Sequence, residues 1–447
     1  MVVERTATRL PRDPGEAGWN ALAGPYRPAR YLDADIQADW LVIGGGFSGL
    51  AAARELSRLR PDDNIVLLEA RRVGQGPGGR NSGFMIDLPH DISSDGYAGA
   101  AERDAKETAM NRLAIDFSRT VAEDYGFSSE VFHVCGKINA AATDGGLRHN
   151  REYADHLASM DEDYRLLDRA EMRELTGIDY YQGGLFTPGA AMIQPAMFVR
   201  QFANGLSESV DIYEETPVTS LQGRVGLWTA TTPKGSVSAP KVILAVNGHA
   251  ESFGYYKRRL MHVFTYASMT RQLNVEEVKR LGGAPVWAAT PADPMGTTVR
   301  RISGTGGDRI IVRNRFTYDP GMEVSRSRLD AVKKDHIRSF RKRFTSIEDV
   351  EMEYSWGGRL CLSWNGVPAF GELDRNLFSA CCQNGVGVAK GTFSGIMAAR
   401  LATETDDPML GQLAEFEPPK RLPPEPLAWF GANLTIRWKE MQAGREL

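Results

Sequence analysis

The chain has 447 residues, 42% hydrophobic and 25% charged, with a net charge of −4. That length predicts about two domains, and the charge balance gives no reason to expect a nucleic-acid partner. No uninterrupted apolar run is long enough to span a bilayer. Four cysteines without C-x-x-C spacing and seven scattered histidines point to neither a disulfide framework nor a metal site.

Residues 1–35, rich in Pro, Gly and Ala, read as a surface arm anchored by Trp19, Tyr26 and Tyr31. Met1–Pro14 is polar and carries several arginines, so it lacks the apolar core of a signal peptide, and a cytoplasmic location is expected. Trp40–Ile43 is a short apolar run, expected as a buried parallel strand. Gly44, Gly46 and Gly49 follow in G-x-G-x-x-G spacing, with Phe47 and Ser48 between them, and Leu50–Leu59 continues as a helix. The glycines allow a tight turn, close approach of a pyrophosphate, and close helix–strand packing. A second strand, Asn64–Leu68, ends at Glu69, whose carboxylate suits ribose hydroxyls and opposes a 2′-phosphate. Arg71 and Arg72 read as solvated surface arginines. The segment 71–83 is rich in glycine and offers backbone N–H groups to an anion or a flat ring.

Helices are expected over 101–125 and 148–175, with one strand, Val131–Ala142, between them and a bulge at Gly136. A strand at Leu185–Phe186 precedes a helix over Ala196–Ser207, started by Pro195. Short strands follow at Asp211–Tyr213, Val218–Gln222, Leu227–Thr232 and Ser236–Ser238, then an apolar strand at Val242–Val246. Tyr266–Leu273, Thr297–Ile302 and Arg309–Arg315 read as antiparallel strands, and 325–344 as a basic helix. Leu377–Cys382 is a strand leading through glycines into a helix over 388–403.

The order predicts an α/β architecture. A Rossmann-like nucleotide domain is assembled from 36–95, 187–255 and 352–410, with an inserted α+β substrate domain with antiparallel sheet, 96–186 and 256–351. Residues 411–447 form a C-terminal extension. Its helix carries Leu427, Phe430, Leu434, Trp438 and Met441 on one face, expected to dock on this chain's own surface, with a partner subunit or a membrane surface as alternatives.

Several segments resemble the FAD-dependent D-amino-acid-oxidase-like superfamily, which includes glycine oxidase and sarcosine oxidase. They are Gly44–Ala53, Leu68–Arg71, Gly79-Arg80-Asn81-Ser82-Gly83, Val242–Gly248, Trp356-Gly357-Gly358, and Gln383–Val388. Within it the chain is most similar to gamma-glutamylputrescine oxidoreductase-type flavoproteins. It departs from the usual pattern at Ser82, Cys382 and Val386, where that group carries glycine, glycine and histidine.

The resemblance implies an enzyme with FAD as cofactor. Gly44, Gly46, Phe47, Ser48 and Gly49 would cradle the pyrophosphate, and Glu69, Ala70 and Arg71 the adenosine ribose. Gly79, Arg80, Asn81, Ser82 and Gly83 would lie beside the isoalloxazine or pyrophosphate, and Val218, on a strand, by the adenine. Ala245, Asn247 and Gly248 belong to the same site. Gly385, Val386, Gly387 and Val388 would set a helix N-terminus at flavin N1 and C2=O, where reduction leaves negative charge. Cys361 lies near, but one place out of step with, the cysteine that binds flavin covalently in sarcosine oxidases, so non-covalent FAD is expected.

Without a second nucleotide fingerprint, electrons should come from a small donor and leave to dioxygen or another acceptor. An amine or amino acid oxidised to an imine is the first expectation. A hydroxy acid, or a flavoprotein subunit that needs a partner, are the alternatives. Candidate substrate contacts are Met85, Tyr266, Trp364 and Lys390, with Phe84 and Asn365 beside them; Lys390 or Arg80 would meet a substrate carboxylate. His90 and His249 are expected to be structural, and no catalytic residue is singled out.

Overall fold

The structure, a computed structural model, describes residues 3–89, 99–224 and 226–447. His90 lies outside the described residues. A six-stranded sheet runs in the order Asp211–Tyr213, Ile65–Leu68, Trp40–Ile43, Lys241–Leu244, Leu377–Cys381, Ala369–Asp374. The first five strands are parallel and the last is antiparallel. Alternate side chains point to opposite faces. Val42, Leu67 and Ile243 pack against the helices Phe47–Leu59, Pro195–Leu206 and Gly387–Ala402. Leu41, Val66 and Leu244 pack against a five-stranded sheet on the other side. Burial on both faces explains why these strands read as unbroken apolar runs.

The five-stranded sheet contains the expected meander, Ser220–Arg224, Leu227–Thr231 and Ser236–Ala239, flanked by Val3–Thr6 and Asp35–Gln37. The N-terminal stretch is therefore partly sheet. Within it Trp19 is buried, whereas Tyr31 is exposed, with Lys234 over its ring. Val218 precedes the meander instead of lying on it.

An eight-stranded sheet forms the second layer system, in the order Met352–Leu362, Met261–Thr270, Arg309–Tyr318, Thr298–Ile302, Trp287–Pro291, Lys137–Ala141, Gly183–Thr187, Arg165–Leu167. The stretch 352–362, expected with the nucleotide-binding pieces, is an edge strand of this sheet. The helix Arg326–Arg343 covers it, capped by the Ser325 side chain.

Two expected elements divide. Phe132–Val134 and Lys137–Ala141 are separate strands in different sheets, because Gly136 adopts φ +76° and turns the chain from one sheet to the other. The stretch 148–175 is two helices, Asp144–Ser159 and Arg169–Thr176, around the strand Arg165–Leu167. Asp168 ends that strand and starts the second helix through a reciprocal capping box with Glu171.

Candidate active site

One large cavity runs from the end of the parallel sheet to the eight-stranded sheet. Two helices begin at it, Phe47–Leu59 and Gly387–Ala402. Neither has a side-chain N-cap or an acid in its first turn. Their first N–H groups thus face the cavity without intrahelical partners, and both dipoles favour negative charge there. Gly44 has φ +111°, and a Cβ there would sit 2.5 Å from the Ala245 carbonyl oxygen. A Cβ at Gly46 or Gly387 would meet no protein atom within 4 Å. That backbone is bare toward the cavity, as a phosphate or a flat ring requires.

Glu69 closes the far end. Its Oε2 accepts from Gly45 N at 2.7 Å and its Oε1 from Arg71 N at 2.9 Å. Burial raises its carboxyl above the ordinary range, and these two hydrogen bonds oppose the rise. Arg71 and Arg72 are not solvated surface groups. Arg71 lies 3.6 Å from the buried Asp13, and Arg72 lies against Glu214 and the Tyr26 ring. A carboxylate with N–H donors, bare glycines and two helix N-termini fit FAD chemically.

Of the expected cofactor residues, Gly49, Gly79, Arg80 and Gly83 do not line the cavity, and all the others do. Gly49 and Gly79 lie beneath it in tight backbone contacts. Gly83 packs on Arg300, whose guanidinium donates to the carbonyls of Ser82, Gly83 and Ile193. Arg80 turns away from the cavity. It donates through Nε to Gly357 O at 2.9 Å and through Nη2 to Pro14 O and Gly15 O at 2.5 and 2.8 Å. Burial lowers its pKa to about 10. Its guanidinium is engaged by these carbonyls, so it does not meet a substrate carboxylate.

The four substrate candidates all lie off the cavity. Met85 is in the core, because its strand neighbour Phe84 takes the cavity-facing direction. Tyr266 packs under the helix Arg326–Arg343 with its hydroxyl 2.6 Å from Thr317 Oγ1. Trp364 is on the surface, and Asn365 beside it is half-buried. Lys390 is ion-paired with Glu107 at 2.8 Å. The wall formed by the eight-stranded sheet instead carries Thr290, Thr298 and Arg313. Thr298 is paired directly with Arg313 across neighbouring strands. Thr290 donates to Asn139 Oδ1 at 2.8 Å, which also accepts from the buried Lys137; burial lowers that lysine to about 8. No linear motif marks this wall, since only strand register brings it together.

The N-terminal stretch also reaches the site. Arg9, Leu10 and Pro11 line the cavity. Pro14 and Gly15 accept from Arg80, and Trp19 donates to Asn81 O at 2.9 Å. Asn20 donates to Gly74 O and Gly79 O. Asp13 is buried against Arg359 at 3.2 Å. Arg359 in turn donates to His249 Nε2. Burial and this guanidinium hold His249 well below the usual histidine range, so its imidazole is neutral. Cys361 also lines the cavity, its thiol pushed up by a hydrogen bond with Cys382 and by burial. Among the described residues no metal-binding cluster is present, and no helix is long and apolar enough to cross a membrane.

Residues 39–401 match the profile of the family described as "DAO: FAD dependent oxidoreductase". The chain is 24% identical to gamma-glutamylputrescine oxidoreductase of Escherichia coli, over 85% of this chain and 87% of that one. It is 24% identical to the probable oxidoreductase OrdL of Haemophilus influenzae, over 83% and 84%. Its fold is similar to that of glycine oxidase from Geobacillus kaustophilus, with TM-score 0.69, 17% identity, and coverage of 87% of this chain and 100% of that one. With most of its length inside the family match, and a cavity built for a dinucleotide, the chain belongs to the FAD-dependent oxidoreductases of the DAO family.

Proposed function

We propose that this enzyme oxidises the C–N bond of a small primary or secondary amine or amino acid to an imine, which water hydrolyses to a carbonyl compound. FAD, when bound, supplies the two-electron acceptor, and dioxygen or another acceptor reoxidises it. One observation carries the reading: a single cavity joins two bare helix N-termini to the polar Thr290–Thr298–Arg313 wall. The amine class is supported by the relatives named above as gamma-glutamylputrescine oxidoreductase and glycine oxidase.

In this reading Gly44, Gly46 and the first turn of Phe47–Leu59 hold the pyrophosphate, and Glu69 receives the ribose hydroxyls. Gly385–Val388 place backbone N–H groups where reduction concentrates negative charge. Residues 96–186 and 256–351 make up the substrate domain. Arg313 orients an anionic or carbonyl group of the donor. The thiol character of Cys361 supports non-covalent FAD, because a thiolate is the nucleophile a covalent link needs. Acid precipitation is then expected to leave the flavin in the supernatant.

The decisive experiment mixes the yellow protein anaerobically with amines and with matched hydroxy acids. Amines are expected to bleach the flavin, and bleaching should speed up as the pH approaches the amine's own pKa, since only the neutral amine assists loss of hydride. Bleaching by a hydroxy acid and not by its amino counterpart refutes the amine reading. Glu69→Ala is expected to weaken FAD retention by roughly tenfold or more, measured by equilibrium dialysis. Unchanged retention removes Glu69 from the site.

A further inference from the structure

The C-terminal helix Leu427–Ala443 is docked by the face opposite to the one the sequence suggests. Ala428, Ala432 and Ile436 pack on Val263, Phe316 and Tyr318. Asn433 accepts from Tyr318 N and donates to Tyr318 O, and Glu440 accepts from Phe316 N and Arg315. Leu427, Phe430, Leu434, Trp438 and Met441 are left 56–80% exposed. This one face holds five of the fifteen large hydrophobic side chains exposed among the described residues. Scattered exposed apolar groups need no explanation, but this concentration does.

A basic rim adjoins the patch. Leu422 N donates to Arg258 O at 2.7 Å, Arg258 donates to Leu422 O, and Arg259 donates to Pro419 O. These bonds set Lys257, Arg258 and Arg259 beside Lys420 and Arg421, at the head of the helix. Lys420 is ion-paired with Glu417, which leaves Lys257, Arg258, Arg259 and Arg421 as the excess of the rim, while Glu425 is engaged with Tyr318 and Trp429 N and Glu251 with His262. This basic rim stands out on a chain of net charge −4.

We propose that this face docks on an anionic lipid surface, the helix lying in the plane of the headgroups with Trp438 at the interface. Aromatic and long aliphatic side chains beside a cationic rim are the chemistry of an interfacial helix. A second copy of the chain fits less well. Seventeen residues of helix span roughly 25 Å, and a strip about 10 Å wide covers roughly 250 Å² against the ~800 Å² per partner of a stable interface. The segment Leu422–Glu425 also lines a second cavity, which shares Arg9, His262 and Met322 with the main one.

The test is co-sedimentation of the holoenzyme with vesicles of phosphatidylglycerol and phosphatidylcholine in equal parts, against phosphatidylcholine alone. The wild type is expected to pellet with the anionic vesicles and to be released by salt. Leu434→Glu with Trp438→Glu is expected to lower partitioning by about tenfold or more while flavin content and melting temperature hold. Lys420→Glu with Arg421→Glu is expected to lower it on anionic vesicles in the same way. Absence of wild-type binding to anionic vesicles overturns the proposal, as does equal binding by the Leu434/Trp438 variant. A concentration-dependent dimer dispersed by the Leu434/Trp438 variant also overturns it, assigning the face to a second copy.

Discussion

The two ends of the chain lie outside the family segment 39–401, yet they meet the rest of the molecule in opposite ways. The N-terminal stretch is fastened by both kinds of group: Trp19 and Leu22 are buried in an apolar cluster, Arg80 binds its carbonyls, and Asp13 sits between Arg71 and Arg359. The C-terminal helix is fastened by one face and leaves its larger apolar face in water. A buried carbonyl must find a donor, so the first arrangement locks the arm to the loop 79–83 that borders the active site. An apolar side chain left in water carries a smaller penalty and remains available to another surface.

The largest effect that can break this comparison is expected from Arg80→Ala. It removes the guanidinium from the carbonyls of Pro14, Gly15 and Gly357, of which Pro14 alone keeps a backbone donor, Gly357 N, at a cost of about 2 kcal/mol or more. Chemical denaturation should register that loss, and flavin should dissociate with it. A wild-type denaturation curve with full flavin retention ends the idea that the arm is locked through Arg80.

The next effect depends on pH. His249 contacts Arg359 and Ser252, and Arg9 and His262 face it as well. Its folded-state pKa lies below the ordinary value, so the unfolded chain takes up the proton first. The stability it supplies is full above about pH 6.5 and falls as the pH drops below that. Limited proteolysis should therefore cut the arm faster at pH ~5.5 than at pH ~7.5, and His249→Asn should flatten the difference. A pH-independent rate in the wild type removes His249 from the arm contact.

The smallest effect on stability is expected at the other end. Leu434→Glu replaces an exposed side chain and should shift unfolding by no more than about 0.5 kcal/mol. A large destabilisation measured by denaturant melts shows that the face is covered in solution, and the contrast between the ends disappears.

Much of the cofactor half is legible in the linear chain, because its chemistry is local. The strand Trp40–Ile43, the glycine turn, the helix after it and Glu69 lie within thirty residues. Each carries its own signal, and the helix N-terminus follows from the turn. The same holds for Gly385–Val388 before the helix Gly387–Ala402. The cavity wall on the eight-stranded sheet has no such signal. Thr290, Thr298 and Arg313 become neighbours only through strand register, and one step of register exchanges the two faces of a strand. Met85 and Tyr266 show the consequence, since both lie on strands that border the site while their side chains pack away from it.

Sequence by itself determined the parallel sheet, the glycine turn and the acid that ends the second strand, because apolar runs, glycine geometry and helix starts act over a few residues. Tertiary structure decided where long charged side chains went. Arg80 found three carbonyls, Lys390 found Glu107, and Asp13 found Arg359. A flexible charged side chain settles wherever burial leaves a complementary group, and that partner can lie hundreds of residues away. The same reason governs the C-terminal helix. Both of its faces carry apolar groups, and the one that docked was the face whose Asn433 and Glu440 met the backbone of Phe316 and Tyr318.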